Sequence, residues 1–371
     1  MEGLGRFSCD LYHKLGSDDN VFFSGYSISS ALSLAYLGAK GETKEQMAKV
    51  LGYQLEAPQI VKALVDIGKS LNTDDGKVET LVGNSLWVQD GLELTDNFLK
   101  IASEVSELIR RVDYVNAPED ARGEINAWVA EKTRDMIKDL IPEGVITEIT
   151  RLVLANAVYF NGKWHKSFDP KITKEAMFAN LDGTTSNVEL MYNNESEGLY
   201  SEGDDYQFVA LPYGDILNTN AYMLIVLPKV DCFEKVNATI SPSILHGMLN
   251  ATRLESNIRL SLPKFKLKYK KDLAELLAED MPYAFSDDNA DFSGITGGKD
   301  LVISNIIHEA VVDVTEEGTE AAAATAVVMR MSATIMIPEK KIIVRVDRPF
   351  MFAIWDRKND IPMFMGKVTK L

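Results

Sequence analysis

Residues 318–337 read GTEAAAATAVVMRMSATIMI. The first half is rich in helix-forming alanine, and the second half in β-branched and long apolar residues that favour strands. Glu320 and Arg330 carry the only charges. The stretch is too long for a single ordinary strand and carries no helix stop signal. A buried helix followed by a strand would explain it. So would a segment that uses two conformations, because local preferences that disagree along one stretch fail to select one state.

The flanking sequence reads outward from there as strands. Residues 342–346 and 350–355 are expected to form a late pair, with 362–368 as a last strand. Upstream, 258–265 alternates apolar and polar residues. Residues 208–211 and 222–227 are short apolar runs stopped by Pro212 and Pro228. Residues 152–160 are almost continuously apolar, as in a central strand buried on both faces. The first half reads as helices. Residues 27–37 form a small-residue apolar segment suited to a buried helix. Residues 44–51 follow Thr43 and meet a stop at Gly52. A helix is expected over 121–140, with Ile125, Trp128, Val129, Met136, Ile137 and Leu140 on one side and Pro142 and Gly144 ending it. Helices early and strands late predict an α+β fold with a large sheet. No linker or internal repeat divides the chain, so one domain over 1–371 is expected.

Composition narrows the function. The chain has 371 residues with 39 basic and 55 acidic side chains, a net charge of −16. That balance argues against nucleic acid and anionic membranes as partners, since both call for a basic face. No run approaches the ~20 apolar residues of a transmembrane helix. Cys9 and Cys232 are too few for a disulfide framework and read as free thiols. Residues 1–11 hold too few apolar residues for a leader, and a mature secreted chain with a start Met is preferred here to a cytoplasmic one. The sequons at Asn194, Asn237 and Asn250 are about as many as chance supplies. The four histidines, His13, His165, His246 and His308, stand in no hydrolase or metalloprotease motif. There is no phosphate loop or metal-ligand cluster. No enzyme, cofactor or metal is expected.

Five motifs then converge. Residues 20–27 read NVFFSGYS, 156–164 NAVYFNGKW, 291–296 DFSGIT, 308–324 HEAVVDVTEEGTEAAAA and 347–352 DRPFMF. In this order and spacing they resemble a serpin over about residues 7–371, with a hinge closest to the ovalbumin-like intracellular branch. The resemblance implies three β-sheets, eight or nine helices and an exposed reactive-centre loop at about 316–337. It also implies a stored free energy, released when the cleaved loop inserts into the main sheet as an extra strand.

The family pattern places the hinge at Glu316, Glu317, Gly318, Thr319, Glu320, Ala321, Ala322, Ala323 and Ala324. With a strand's period of two, Thr319, Ala321, Ala323, Thr325, Val327 and Met329 would face the buried side. Glu320, Ala322, Ala324, Ala326, Val328 and Arg330 would face solvent. Ser24, Ser27, Asn156 and His308 match the shutter where the sheet opens. Trp164 and Glu316 match the breach where the loop first enters. The helix carrying Trp128 resembles the one that crosses the sheet. Gly25 replaces the family's usual proline and is expected to loosen the backbone there.

Counting the family's usual loop length from Glu316 ends at Ser332, so the reactive bond would be Ser332–Ala333. Met331 and Arg330 are the other candidates to precede the bond. They imply elastase-, chymotrypsin- or trypsin-like serine proteases as partners. Arg110 and Arg111 are flanked by Glu107 and Asp113, so no strong response to heparin is expected. A monomer is expected. A non-inhibitory serpin acting as carrier, chaperone or storage protein is the alternative, against which the small hinge residues argue.

Overall fold

A computed structural model describes residues 2–16, 19–54, 57–70, 76–103, 108–319 and 341–371. Ten α-helical segments fall among them: α1 (Glu2–Lys14), α2 (Gly25–Gly38), α3 (Gly41–Leu51), α4 (Ala57–Gly68), α5 (Asp96–Ser103), α6 (Pro118–Lys132), α7 (Phe233–Asn237), α8 (Pro242–Asn250), α9 (Ala274–Ala278) and α10 (Ser293–Thr296). The strands are β1 (Val21–Phe23), β2 (Val78–Gln89), β3 (Leu108–Val112), β4 (Leu152–Lys163), β5 (Lys174–Ala179), β6 (Thr185–Glu202), β7 (Tyr206–Pro212) and β8 (Ala221–Pro228). They continue with β9 (Arg253–Pro263), β10 (Phe265–Asp272), β11 (Asn305–Val314), β12 (Gly318–Thr319), β13 (Ile342–Arg345), β14 (Phe350–Asp356) and β15 (Ile361–Val368).

The smaller sheet has the order β10-β11-β12-β4-β2-β3. The other strands form one network, β1-β15-β14-β8-β7-β6-β9-β13, with β5 on β6. That network divides at the irregularities of β6 between Asn193 and Gly198. The expected three sheets are therefore met as the smaller sheet and two parts that share β6 and β9. The helix number exceeds the expected eight or nine because α7, α9 and α10 are single turns of 5, 5 and 4 residues.

The central packing follows from residue size. In α2 every side chain except Leu37 is buried. It packs against β2 and β4 on one side and β15 on the other. Ser29, Ser30, Ala31, Ser33 and Ala35 keep it thin enough to fit between two sheets. On β4 the parity is strict. Leu152, Leu154, Val158 and Phe160 join the main core on the α2 side. Val153, Ala155 and Ala157 join a second cluster with Trp87, Trp128 and Ile125 of α6. Burial on both faces explains the continuous apolar run. A Cβ at Gly83 would lie 3.0 Å from the Trp128 ring, so glycine lets the helix sit close on β2.

Three expectations need correction. The helix expected over 121–140 ends at Lys132. Arg134 and Asp135 have φ of 52° and 64°, and the chain turns back on the helix. Thr133 Oγ1 accepts from the Ile137 amide (3.1 Å), and Asn126 pairs with the backbone of Ile141 in both directions (2.8 and 3.0 Å). Ile137 and Leu140 still reach the Trp128 cluster, which is why the periodicity looked helical. The residues expected as one strand over 258–265 straddle two strands. β9 stops at Pro263, which lacks an N–H to continue a ladder, and β10 begins at Phe265 in the other sheet. Finally, 342–346 and 350–355 do not pair with each other. β13 lies parallel to β9, and β14 lies between β8 and β15. Asp347 and Arg348 carry the chain across, through Ala179 N–H to Asp347 O (2.9 Å) and Arg348 Nε to Pro228 O (2.8 Å).

Candidate functional site

The middle of the smaller sheet has an unusual join. β4 and β11 are parallel neighbours from Asn305↔Val153 to Ala310↔Val158, and their direct pairing stops there. Above that point β12 lies between them. Gly318 and Thr319 pair antiparallel to Lys163 and Gly162, and Thr319 also pairs to Val314. The chain has turned at 315–317, held by Thr315 N–H to Gly318 O at 2.9 Å, and has started back down between its own strand and β4. Glycine makes room for this. A Cβ at Gly318 would lie 2.1 Å from Gly162 O, and one at Gly162 2.7 Å from the Tyr213 ring.

Aromatic side chains form the floor of this opening. Trp164 stacks on Tyr213 at 4.5 Å and 11°, and Phe160 meets Tyr213 edge-on at 5.1 Å. The Trp164 indole N–H donates to Thr315 O (3.0 Å), and its amide donates to Glu317 O (2.9 Å). Tyr213 is fully buried, and burial pushes its phenol far above the usual range, so it is a neutral hydroxyl. That hydroxyl hydrogen-bonds the Thr319 hydroxyl at 2.6 Å, and Thr319 is only 1% exposed.

Glu316 is anchored from the side. Its carboxylate accepts from Thr173 Oγ1 (2.9 Å) and lies 3.5 Å from Lys264 Nζ, which also reaches Glu189 (3.3 Å). Burial opposes the charge on Lys264, but Glu189 and Glu316 outweigh it and raise the ammonium above its ordinary value.

Lower in the same sheet, four sequence-predicted polar residues meet. His308 and Asn156 are register partners on β11 and β4, and all four are fully buried. His308 Nδ1 faces Asn156 Oδ1 at 2.7 Å, and Nε2 accepts the Ser24 amide at 3.2 Å. Those partners require a neutral imidazole protonated on Nδ1. Burial depresses its pKa from 6.5 to about 3, which agrees. Asn156 Nδ2 donates to Ser27 O (2.9 Å) and lies 2.6 Å from Asn84 Oδ1. Ser24 Oγ donates to Met363 O (2.7 Å) and accepts the Ser27 amide (3.0 Å), capping α2.

So Ser24, Ser27, Asn156 and His308 form one network, whereas Trp164 bonds to the backbone of Thr315 and Glu317 on either side of Glu316, whose own side chain goes to Thr173 and Lys264. Glu317, Gly318 and Thr319 are described, with Thr319 facing the buried side as its parity predicts. Glu320, Ala321, Ala322, Ala323, Ala324, Arg330, Met331, Ser332 and Ala333 lie outside the described residues. Sequence reading missed Asn84, Tyr213, Thr173 and Lys264. None of the four carried a distinctive signal, since Asn84 shares β2 with Glu79, Thr80, Ser85 and Gln89. The Gly25 expectation is corrected. The residue is helical at the start of α2, and a Cβ there would lie 2.2 Å from Ser8 Oγ, so glycine serves close packing of α1 rather than looseness.

Comparisons agree with this geometry. The family model described as Serpin (serine protease inhibitor) matches residues 2–371. An uncharacterized serpin-like protein of Methanosarcina mazei is 35% identical over 98% of this chain and 85% of its own. The leukocyte elastase inhibitor of Bos taurus is 34% identical over 98% of this chain and 97% of its own. Among solved structures, thyroxine-binding globulin in complex with thyroxine superposes with a TM-score of 0.86 at 29% identity, covering 100% of this chain and 98% of that one. Relatives such as the first two lean against the secretion expected above.

Proposed function

The chain belongs to the serpin family, and on that premise we propose that it is a suicide-substrate inhibitor of serine endopeptidases. The family supports serine proteases as targets in general. The observation that carries the reading is the position of Gly318 and Thr319 between β11 and β4. Among the described residues, a strand begins between β4 and β11 just beyond the point where their direct pairing ends.

The mechanism follows from that opening. A protease serine attacks the scissile carbonyl, the peptide bond breaks, and the downstream chain leaves with a new amino terminus. The upstream loop stays attached as an ester. Freed at its far end, it continues the register begun at Thr319↔Gly162. Each further residue displaces part of the β4–β11 pairing. In this register Thr325 arrives opposite Asn156 and His308, where its hydroxyl can join their network. The attached protease is carried along, its active site is distorted, and water fails to hydrolyse the ester. Inhibition is a race between insertion and that hydrolysis. The small residues Ala321–Ala324 favour insertion, and no catalytic role is assigned to any residue of this chain.

The cleaved bond is proposed as Ser332–Ala333, with Met331 and Arg330 as the other candidates to precede it. Trypsin-, chymotrypsin- and elastase-like enzymes are the corresponding targets. We further propose a monomer without strong heparin activation, in part because Arg110 is engaged over the Trp87 ring at 5.7 Å. The carrier reading has one observation in its favour, the likeness to thyroxine-binding globulin.

The test is to mix the chain separately with trypsin, chymotrypsin and elastase. Denaturing gels and intact mass then read the products. A covalent complex with any of them is the expected result, and the mass of the released carboxy-terminal peptide selects among Arg330, Met331 and Ser332. Cleavage without a complex by all three would count against inhibition of these protease classes and towards the carrier reading.

A further inference from the structure

The fully buried Tyr213 hydroxyl has one described partner, and that partner belongs to the moving segment. The ring itself is fixed. It is stacked on Trp164, edge-on to Phe160, and bridged to Trp164 through the backbone. Its oxygen therefore marks one point under the slot between β4 and β11. Withdrawing Thr319 would leave that buried hydroxyl without this bond, which is unfavourable. A slip of one residue would set Gly318 or Glu320 over the same point. Gly318 offers no hydroxyl, and Glu320 would bring a carboxylate into a buried aromatic site. One-residue slips also turn every following side chain to the opposite face.

We propose that Tyr213 is a positioning residue that seats Thr319 in the sheet before any protease arrives, and so sets the register from which the loop inserts. The seat stands on the geometry alone. Its consequence for inhibition rests on the function proposed above.

The test uses the full chain with Tyr213→Phe, Thr319→Val, the double variant and the conservative Thr319→Ser. Hydrogen exchange by mass spectrometry is read on peptides covering 314–319 and 160–164. Losing one net hydrogen bond corresponds to exchange roughly 3- to 10-fold faster at the seat. Tyr213→Phe and Thr319→Val should each show that acceleration. The double variant should show no more than either single one, because both remove the same bond. Thr319→Ser should stay near the parent, and peptides of α6 should not change in any variant. Unchanged exchange in both single variants, or effects that add in the double, would overturn the seat.

A second readout is the fraction of chain cleaved without complex by whichever protease the parent traps. It should rise at least about twofold in Tyr213→Phe and remain near the parent in Thr319→Ser. Faster exchange with an unchanged fraction would overturn the register-setting role while leaving the seat. A parent that traps none of the three proteases would count against the inhibitor reading, and the exchange data would still judge the seat.

Discussion

His308 shows how a single buried residue ties the sheet to conditions. Its neutral ring donates to Asn156 and accepts from Ser24, so protonation on Nε2 would break the second bond inside the core. The folded pKa, near 3, is below the ordinary 6.5, so the unfolded chain binds the proton first as pH falls. Stability from this residue is complete above about pH 6.5 and is lost progressively down to about pH 3, by at most about 1.4 kcal/mol per pH unit. Melting temperatures between pH 7 and 5 should therefore fall more steeply in the parent than in His308→Gln. Parallel slopes would remove His308 as the cause. These four residues were legible through the resemblance, whose shutter pattern Ser24, Ser27, Asn156 and His308 match. Which of them touch was not, since His308 and Ser24 are 284 positions apart in the chain.

Among elements, β10, β11 and the segment after α6 act together. Glu309 on β11 is fully buried on the face that carries Ile307 and Val311. Lys268 of β10 reaches its carboxylate at 2.9 Å and Lys270 at 3.8 Å. Lys270 also donates to Asp139 O at 2.5 Å, so one lysine links the strand pair to the segment that crosses it. Removing a partner from a buried carboxylate is far more costly than removing one from an exposed pair. Lys268 is 56% exposed, and solvent reduces the effect. Lys268→Ala should then destabilise the chain by about 1–3 kcal/mol. Lys266→Ala, whose partner Asp313 is partly exposed, should cost at most about 1 kcal/mol. Equal midpoints in urea for the two variants would contradict this. The alternating lysines of β10 were visible in sequence, but their partner was not, because an alternating strand does not name its neighbour.

At the scale of the molecule, the smaller sheet keeps a parallel pair at its centre, β4 beside β11, while β2 runs antiparallel to β4 and β10 antiparallel to β11. Parallel pairing is slightly less stable per residue than antiparallel pairing. A strand continuing from Thr319 would replace that one parallel ladder with two antiparallel ones and bury its inward side chains. Nicking the loop without trapping the protease should therefore raise the melting temperature, on the order of 10 °C or more. Scanning calorimetry before and after limited proteolysis checks this. An unchanged or lowered transition would mean that the intact chain stores no such free energy.

The amino-acid sequence by itself determined which faces are buried, because burial follows side-chain period. Through the order and spacing of its motifs it also pointed to the polar residues that meet under the sheet. Tertiary structure alone decided which strands pair, where α6 stops, and that Gly318 and Thr319 lie between β4 and β11. The continuous run of β4 is satisfied by any two apolar neighbours, and only the fold supplies α2 on one face and α6 on the other. Likewise 342–345 could have paired with 350–356, but the turn at Asp347 and Arg348 takes the chain to another part of the sheet. Whether Thr319 lies inside or outside depends on a gap between β4 and β11, two glycines and one tyrosine hydroxyl. These come from distant parts of the chain, and local preference carries no information about their meeting.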